Sequence, residues 1–347
     1  MSVKDDKTLE LPTCDDKLLW DVTLSVYNLP TLIVATELGL FPFIARKPAT
    51  PEEVARKFFL NAEPTEAFLG VLTSLGFLVQ YKGRFYLTEV SRNFLLPESP
   101  YSWSKLLGSP PVITDMKAAV REALQRKPTE EERAVKVFGM LKDVDNVNWE
   151  QVRLITQKSH VRSLPAAMGV ARWGDFTDVR NFLDMGGGCG SFCIVLALKY
   201  PEIEFTVADL PAICEVAKEC IREYGLQDQI AVEPVDMFED VWPSGYDALF
   251  FSNIFHDWGE ERSRYLGQKS FEVLPPGGRI YLHELLLADT KDSPLALTMY
   301  SLGLKFSTRG KLFTAEELDN LLRDCGFKDI SITNTYGYHS LVTGRKL

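Results

Sequence analysis

Hydrophobic and polar positions divide the chain in two. From Asn181 onward, short apolar runs at 181–186, 204–210, 230–236, 246–253 and 278–286 alternate with longer stretches whose apolar residues recur at helical spacing. Short apolar runs bounded by turn residues read as buried strands, and their alternation with helices predicts an α/β fold: a parallel sheet with helices on both faces. Two late runs, 329–335 and 339–345, are expected to form an antiparallel edge. The first part of the chain follows a different pattern. After a polar arm of about fifteen residues, helical periodicity covers Lys17 to Ala45, with breaks at Pro30 and Gly39. Thr50-Pro51-Glu52-Glu53 opens another helix: a threonine cap, a proline at the first helical position and a glutamate that closes a capping box. A helix over 64–75 and a hairpin turning at Lys82-Gly83 follow, so that helix, helix and hairpin make a winged-helix pattern. Residues 100–175 read as helical, and the charged run Lys127–Arg133 within them as a solvated loop and helix start.

The densest chemistry lies where the first predicted parallel strand ends, at Asn181-Phe-Leu-Asp-Met-Gly-Gly-Gly-Cys-Gly-Ser191. An apolar run enters a turn without side chains, and a helix starts at its far side. A ligand can therefore approach the backbone closely. The glycines, Gly186, Gly187, Gly188 and Gly190, do not have the spacing of a dinucleotide cradle. Asp184, placed before them, repels a pyrophosphate and suits a cationic amino group such as that of S-adenosylmethionine (SAM). Asp209 closes the next strand, where an acid binds ribose hydroxyls, and Leu210 follows it. Asp236-Met237 closes the third; the acid can accept from an adenine amino group and the methionine can pack on the ring.

The fourth strand runs into His256. An imidazole just past a strand end, with a pKa near neutrality, suits a general base for a substrate hydroxyl. Glu284, at the end of the fifth strand, is expected beside it, fixing the tautomer and stabilising the imidazolium, so the catalytic pair is His256 and Glu284. Asp257 and Glu260 match a D-x-x-E capping box, and Asp257 is assigned to structure. His283 is expected on the opposite strand face as a structural residue. His339 is given no role. His160 and Met168, in the helices before the glycine turn, can line the pocket or take core or surface roles.

At 347 residues the chain is long enough for two domains. A formal charge of −10 argues against a nonspecific nucleic-acid binder. The would-be recognition helix, from Glu63 to Leu75, has no Lys or Arg with which to meet phosphates, and suits burial against a partner subunit instead. The polar, acidic start and the expected lack of a span-length apolar run point to a cytoplasmic protein without membrane contact. Six scattered cysteines without C-x-x-C spacing are expected to be reduced, and no metal site is expected.

Taken together, Leu183-Asp-Met-Gly-Gly-Gly-Cys-Gly190, Ala208-Asp-Leu-Pro211, Val235-Asp-Met-Phe238, His256-Asp-Trp258, Leu274-Pro-Pro-Gly-Gly-Arg279 and Gly310-Lys-Leu-Phe-Thr314 resemble the caffeic-acid type of SAM-dependent O-methyltransferase. Acetylserotonin and bacterial antibiotic O-methyltransferases belong to the same family. The resemblance implies a Rossmann-like class I SAM methyltransferase domain preceded by a mostly helical, winged-helix-like dimerisation domain. The expected boundaries are 1–105 for dimerisation, 106–175 for a helical linker lining the substrate pocket, and 176–347 for SAM binding. It further implies a homodimer, no metal, a small-molecule substrate, and S-adenosylhomocysteine (SAH) as product. Gly186 and Gly188 would lie at the methionine end of SAM, Asp209 at the ribose, and Asp236 and Met237 at the adenine. Two positions depart from the family pattern. Ser252 and Asn253 stand where many members carry Lys or Arg; Asn253 can hydrogen-bond the cofactor but supplies no charge. Leu312 stands where many members place a second glutamate beside the histidine. Rival readings are C- or N-methylation, a SAM-retaining enzyme that transfers no methyl group, a ligand-sensing winged-helix regulator and a nicotinamide oxidoreductase.

Overall fold

A computed structural model describes residues 16–107, 120, 124, 141, 142, 144, 147–308 and 310–347. The charged run Lys127–Arg133 and the arm before residue 16 lie outside them. The chain divides into two compact units, Met1–Pro110 and Pro111–Leu347.

In the first unit, helices Lys17–Leu24 and Asn28–Glu37 are joined by a 3-10 turn at Ser25–Tyr27. The expected break at Pro30 is absent. Pro30 lies in the first turn of its helix, where a missing N–H costs no hydrogen bond. Gly39 does end that helix, with φ +71°. The capping box at Thr50 is complete: Glu53 N donates to Thr50 Oγ1 at 3.3 Å, and Thr50 N donates to Glu53 Oε2 at 2.9 Å. Glu53 also accepts from Arg84 Nη1 at 2.9 Å, which ties helix Pro51–Phe58 to the hairpin of β1 (Leu78–Tyr81) and β2 (Arg84–Leu87). Helix Ala62–Ser74 completes the expected pattern. Leu40, Phe41, Ile44, Leu69, Leu72, Leu78 and Phe85 form the core.

Outside that core, Leu18, Leu19, Trp20, Val22, Val26 and Tyr27 are exposed. The helical stretch Lys17–Glu37 is long and apolar enough, by length and composition alone, to cross a membrane. That corrects the expectation that no apolar run reaches such a length; the polar and threonine positions within it had broken the run when read as a string.

The second unit is built on an eight-stranded sheet. Its strands are β3 (Asn181–Met185), β4 (Glu204–Asp209), β5 (Ile230–Pro234), β6 (Ala248–Ser252), β7 (Arg279–Leu287), β8 (Phe313–Thr314), β9 (Lys328–Tyr336) and β10 (His339–Arg345). Seven of them follow the order β5-β4-β3-β6-β7-β10-β9, and β8 pairs with β7. The strands from β3 to β7 are mutually parallel, whereas β10 runs antiparallel to both β7 and β9. All seven strands expected from the sequence are present. The two-residue β8 is additional, too short to leave a periodic signal.

Side chains alternate across the sheet with period two. Phe182 and Phe250 pack on one face, with helices Trp149–Trp173, Ser191–Lys199 and Pro211–Glu223; Leu183, Met185, Leu249 and Phe251 pack on the other, with helices Glu260–Val273 and Ala315–Asp324. The strand order reverses beside β3, which has β4 on one side and β6 on the other. At such a point the connections leave in opposite directions and open a crevice at the carboxyl ends of the strands.

Candidate active site

Five strand ends supply the residues at that crevice. Gly186, just past β3, has φ +75°, and a Cβ there would come within 2.5 Å of Ile254 Cδ1 and 3.3 Å of Met237 Cε. A side chain would therefore collide with the residues that follow β5 and β6. Gly188 donates its N–H to Asp209 Oδ2 at 2.9 Å, and Leu210 N donates to Asp209 Oδ1 at 2.7 Å. One carboxylate at the end of β4 thus holds the glycine turn and the start of the next helix together. Burial pushes its pKa up to about 6 despite those two bonds.

Asp184 is 1% exposed. Its Oδ2 accepts from Cys193 Sγ at 3.6 Å, and its Oδ1 has no partner among the described residues. Burial, reinforced by the charge of Asp209, pushes its pKa up to about 7. Two desolvated carboxyls around one glycine turn make a region that favours a cationic group.

Asp236, after β5, is held by a lysine and by the backbone. Its Oδ2 pairs with Lys142 Nζ at 2.5 Å and its Oδ1 accepts from Phe238 N at 2.9 Å. Burial acts to raise its pKa, and the Lys142 ammonium outweighs it and holds the group below the usual carboxylate range. Lys142 carries no periodic or motif signal, so its role was invisible in the sequence.

The strongest geometry lies between β6 and β7. After β6 the chain turns through Asn253, in the left-handed region with φ +56°, into a single 3-10 turn, Phe255–Asp257. Asn253 N donates to the His283 carbonyl at 3.0 Å, and its Nδ2 donates to Ser252 Oγ at 3.4 Å. His256 is 2% exposed and its Nδ1 lies 2.5 Å from Glu284 Oε2. The other oxygen, Glu284 Oε1, accepts from the backbone N–H groups of Ile254 at 3.0 Å and Phe255 at 2.9 Å. With Oε1 already accepting two backbone N–H groups, Nδ1 donates to Oε2, and the neutral ring then has its lone pair on Nε2. Burial alone would lower the His256 pKa; the charge and hydrogen bond of Glu284 outweigh it and hold it above the ordinary 6.5.

Asp257 is not a helix cap. The N-cap of helix Glu260–Val273 is Gly259, with no side-chain bond. Successive residues of a 3-10 turn are about 120° apart, rather than on opposite faces as in a strand. Asp257 Oδ1 accordingly comes within 3.8 Å of His256 Nε2. The Thr308 hydroxyl donates to Asp257 as well. The ring of Tyr300 meets His256 edge-on, with centroids 5.8 Å apart. Gly310 lies against the His256 carbonyl, where a Cβ would fall 1.6 Å from the oxygen.

His283 has the structural role expected of it: Nδ1 bonds Ser252 Oγ at 3.0 Å, Nε2 bonds Thr335 Oγ1 at 3.2 Å, and His339 stacks on the ring at 4.7 Å. His160 bonds Ser191 Oγ at 2.8 Å, at the start of the helix after the glycine turn. Met168 is exposed.

Residues 113–328 match the O-methyltransferase domain, and residues 20–97 match the O-methyltransferase dimerisation domain. The chain belongs to the O-methyltransferase family. Over 338 residues it is 30% identical to 3-hydroxy-5-methyl-1-naphthoate 3-O-methyltransferase of Streptomyces sahachiroi, which covers 95% of each chain. Acetylserotonin O-methyltransferase of Gallus gallus is 27% identical, covering 91% of this chain and 93% of its own. Human N-acetylserotonin methyltransferase in complex with SAM has the same fold, with a TM-score of 0.76 at 24% identity, covering 97% and 99% of the two chains. The chain is a SAM-dependent methyltransferase of small molecules, with the class I fold in its second unit.

Within the O-methyltransferase family the two departures read from the sequence can now be placed. Ser252 and Asn253 are tied to His283 on β7 and bring no charge to the site. Leu312 is buried beside Leu287, Leu297 and Leu304, so the second carboxylate near the histidine is Asp257.

Gly310→Ala is expected to lower turnover by up to about 10²–10⁴-fold while leaving SAH affinity within about threefold. Its added methyl displaces the His256 backbone and not the glycine turn. Isothermal titration with SAH alongside a turnover assay checks this, and wild-type turnover in the variant contradicts it.

Proposed function

We propose that this O-methyltransferase methylates a hydroxyl of a small aromatic or enolic acceptor with His256 as general base. The observation that carries the reading is the 2.5 Å contact of His256 Nδ1 with Glu284 Oε2, which holds the ring so that its neutral form has the lone pair on Nε2. When bound, SAM supplies a methyl group on a sulfonium sulfur. The residues present suit it: the partnerless Asp184 Oδ1 a cationic amino group, Gly186 and Gly188 a close backbone approach, Asp209 a ribose, and Leu210, Met237 and Asn253 the surrounding wall. Asp236 would meet an adenine amino group through whatever capacity Lys142 leaves it.

The work of this chain is to move a proton and hold a geometry. A phenol has a pKa of about 10, so it is mostly protonated at neutral pH. His256 Nε2 takes the hydroxyl proton as the oxygen becomes nucleophilic, and Glu284 stabilises the imidazolium that results. Asp257, 3.8 Å from Nε2, favours the same charged form. The relatives support an aromatic acceptor, since the 30% identical enzyme is named for a hydroxynaphthoate.

The dimerisation-domain match and the uncovered apolar positions from Leu18 to Tyr27 support a homodimer through the first unit. The same burial between subunits accounts for an apolar stretch in a cytoplasmic protein. We place the dimerisation domain at 1–105, a linker lining the substrate pocket at 106–175, most of whose residues before 147 lie outside the described ones, and the SAM-binding domain at 176–347.

His256→Ala is expected to lower turnover by about 10²–10⁴-fold with SAM affinity retained; unchanged turnover removes the base assignment. Because the base acts deprotonated, kcat/KM rises with pH through a limb above 6.5. Glu284→Gln moves that limb to lower pH, and a limb that stays in place contradicts the pairing. Mass spectrometry of product made with methyl-labelled SAM separates O- from C- or N-methylation. Trp20→Glu is expected to give a monomer by light scattering; an undisturbed dimer places the interface elsewhere.

A further inference from the structure

Helix Trp149–Trp173 carries a cation that the reaction scheme leaves unused. At 100° per residue, Arg162, Pro165, Ala166 and Gly169 lie along one stripe of that helix. The stripe is buried from Pro165 onward. At Gly169 it presses on the β9–β10 hairpin so closely that a Cβ would come within 2.8 Å of the Thr335 carbonyl and Tyr336 Cβ. Thr335 bonds His283, on which His339 stacks. Arg162 is the next position toward the helix start, and there the same stripe is exposed. Its side chain therefore leaves the covered part of the helix beside the His256 end of the sheet. Its positive charge is felt at His256, Tyr300 and His339. Among the described residues it has no carboxylate partner, although Asp257 and Glu284 stand around the same histidine and are engaged with Thr308, His256 and backbone N–H groups.

We propose that Arg162 is a specificity residue that binds a carboxylate on the methyl acceptor. The acceptor is then a hydroxy-substituted aromatic or enolic acid rather than a neutral phenol. A guanidinium presents a planar fork of donors that matches a carboxylate in a bidentate way, and it keeps its charge at any pH the enzyme meets. Glu284 and Asp257 are held by other partners, which leaves the guanidinium fork free to pair with an anion of the acceptor. With an acceptor carboxylate in place that fork is paired, and the acceptor is fixed with its hydroxyl toward Nε2. This rests on the methyl-transfer reading above for the identity of the acceptor, and on the placement of Arg162 for its charge.

The carboxylate of the cofactor's own methionine end has the same chemistry, and the experiment separates the two sources. Binding of 1-naphthoate and 1-naphthamide, and of benzoate and benzamide, is measured by calorimetry on the SAH-loaded full chain. The wild type is expected to favour the acids by about tenfold or more; Arg162→Gln removes the preference and Arg162→Lys retains part of it. SAH and 5′-methylthioadenosine, which lacks the amino-acid carboxylate, are titrated against the same variants, and both affinities are expected to stay within about threefold. Equal binding of acids and amides by the wild type overturns the proposal. So does a loss of SAH affinity in Arg162→Gln that spares 5′-methylthioadenosine, since the arginine then serves the cofactor. Failure of the methyl-transfer reading has a different signature: acid preference persists while no label passes from methyl-labelled SAM to any hydroxyl.

Discussion

Glu284 is buried in β7, three residues before its end, and accepts three hydrogen bonds, two from the backbone of the turn after β6 and one from the imidazole it carries. A carboxylate taken out of water needs such donors, because an unpaired buried charge costs several kcal/mol. The same need makes the arrangement rigid. The N–H groups of Ile254 and Phe255 cannot move without stranding the carboxylate, so the 3-10 turn is clamped to β7 and His256 with it. Gly310 closes the turn from the other side against the His256 carbonyl, leaving no room for a side chain. What the enzyme needs from its base, a fixed tautomer and a fixed direction, follows from satisfying one buried acid.

The remainder of the crevice uses the same device with other partners. Asp209 holds the glycine turn through Gly188 and the following helix through Leu210. Asp184 is the exception, since one of its oxygens has no donor among the described residues. Three acids on strands of the same sheet therefore differ in what they lack. Glu284 is complete, Asp209 is occupied by backbone, and Asp184 is short of a positively charged or donating group. A methyl donor that is cationic and carries an amino group meets that shortage; a pyrophosphate does not.

Much of this was legible in the residues. Each strand of the parallel sheet left an apolar run of the right length, and because ligands gather where such strands end, the residues at those ends could be named in advance. His256 and Glu284 were found in that way, and they do meet. Three features were hidden for physical reasons. Asp257 was assigned to a cap because strand geometry sends neighbouring side chains apart, whereas the chain there has already entered a 3-10 turn. Lys142 reaches Asp236 from a segment without periodicity, and no spacing rule connects the two. Arg162 stands among other charged residues of an amphipathic helix, and only the packing of Gly169 shows which way it faces. The exposed apolar stretch Lys17–Glu37 was missed because its polar residues interrupt the string but not the helix surface.

The central claim is that Glu284 fixes the His256 tautomer with the proton on Nδ1 and the lone pair on Nε2. Nitrogen-15 NMR of ring-labelled histidine in the SAH complex tests it most directly. The account predicts that once the ring has lost its charge at rising pH it is protonated at Nδ1, and that this tautomer preference is lost in Glu284→Gln. A His256 ring protonated at Nε2 in the wild-type complex would contradict it.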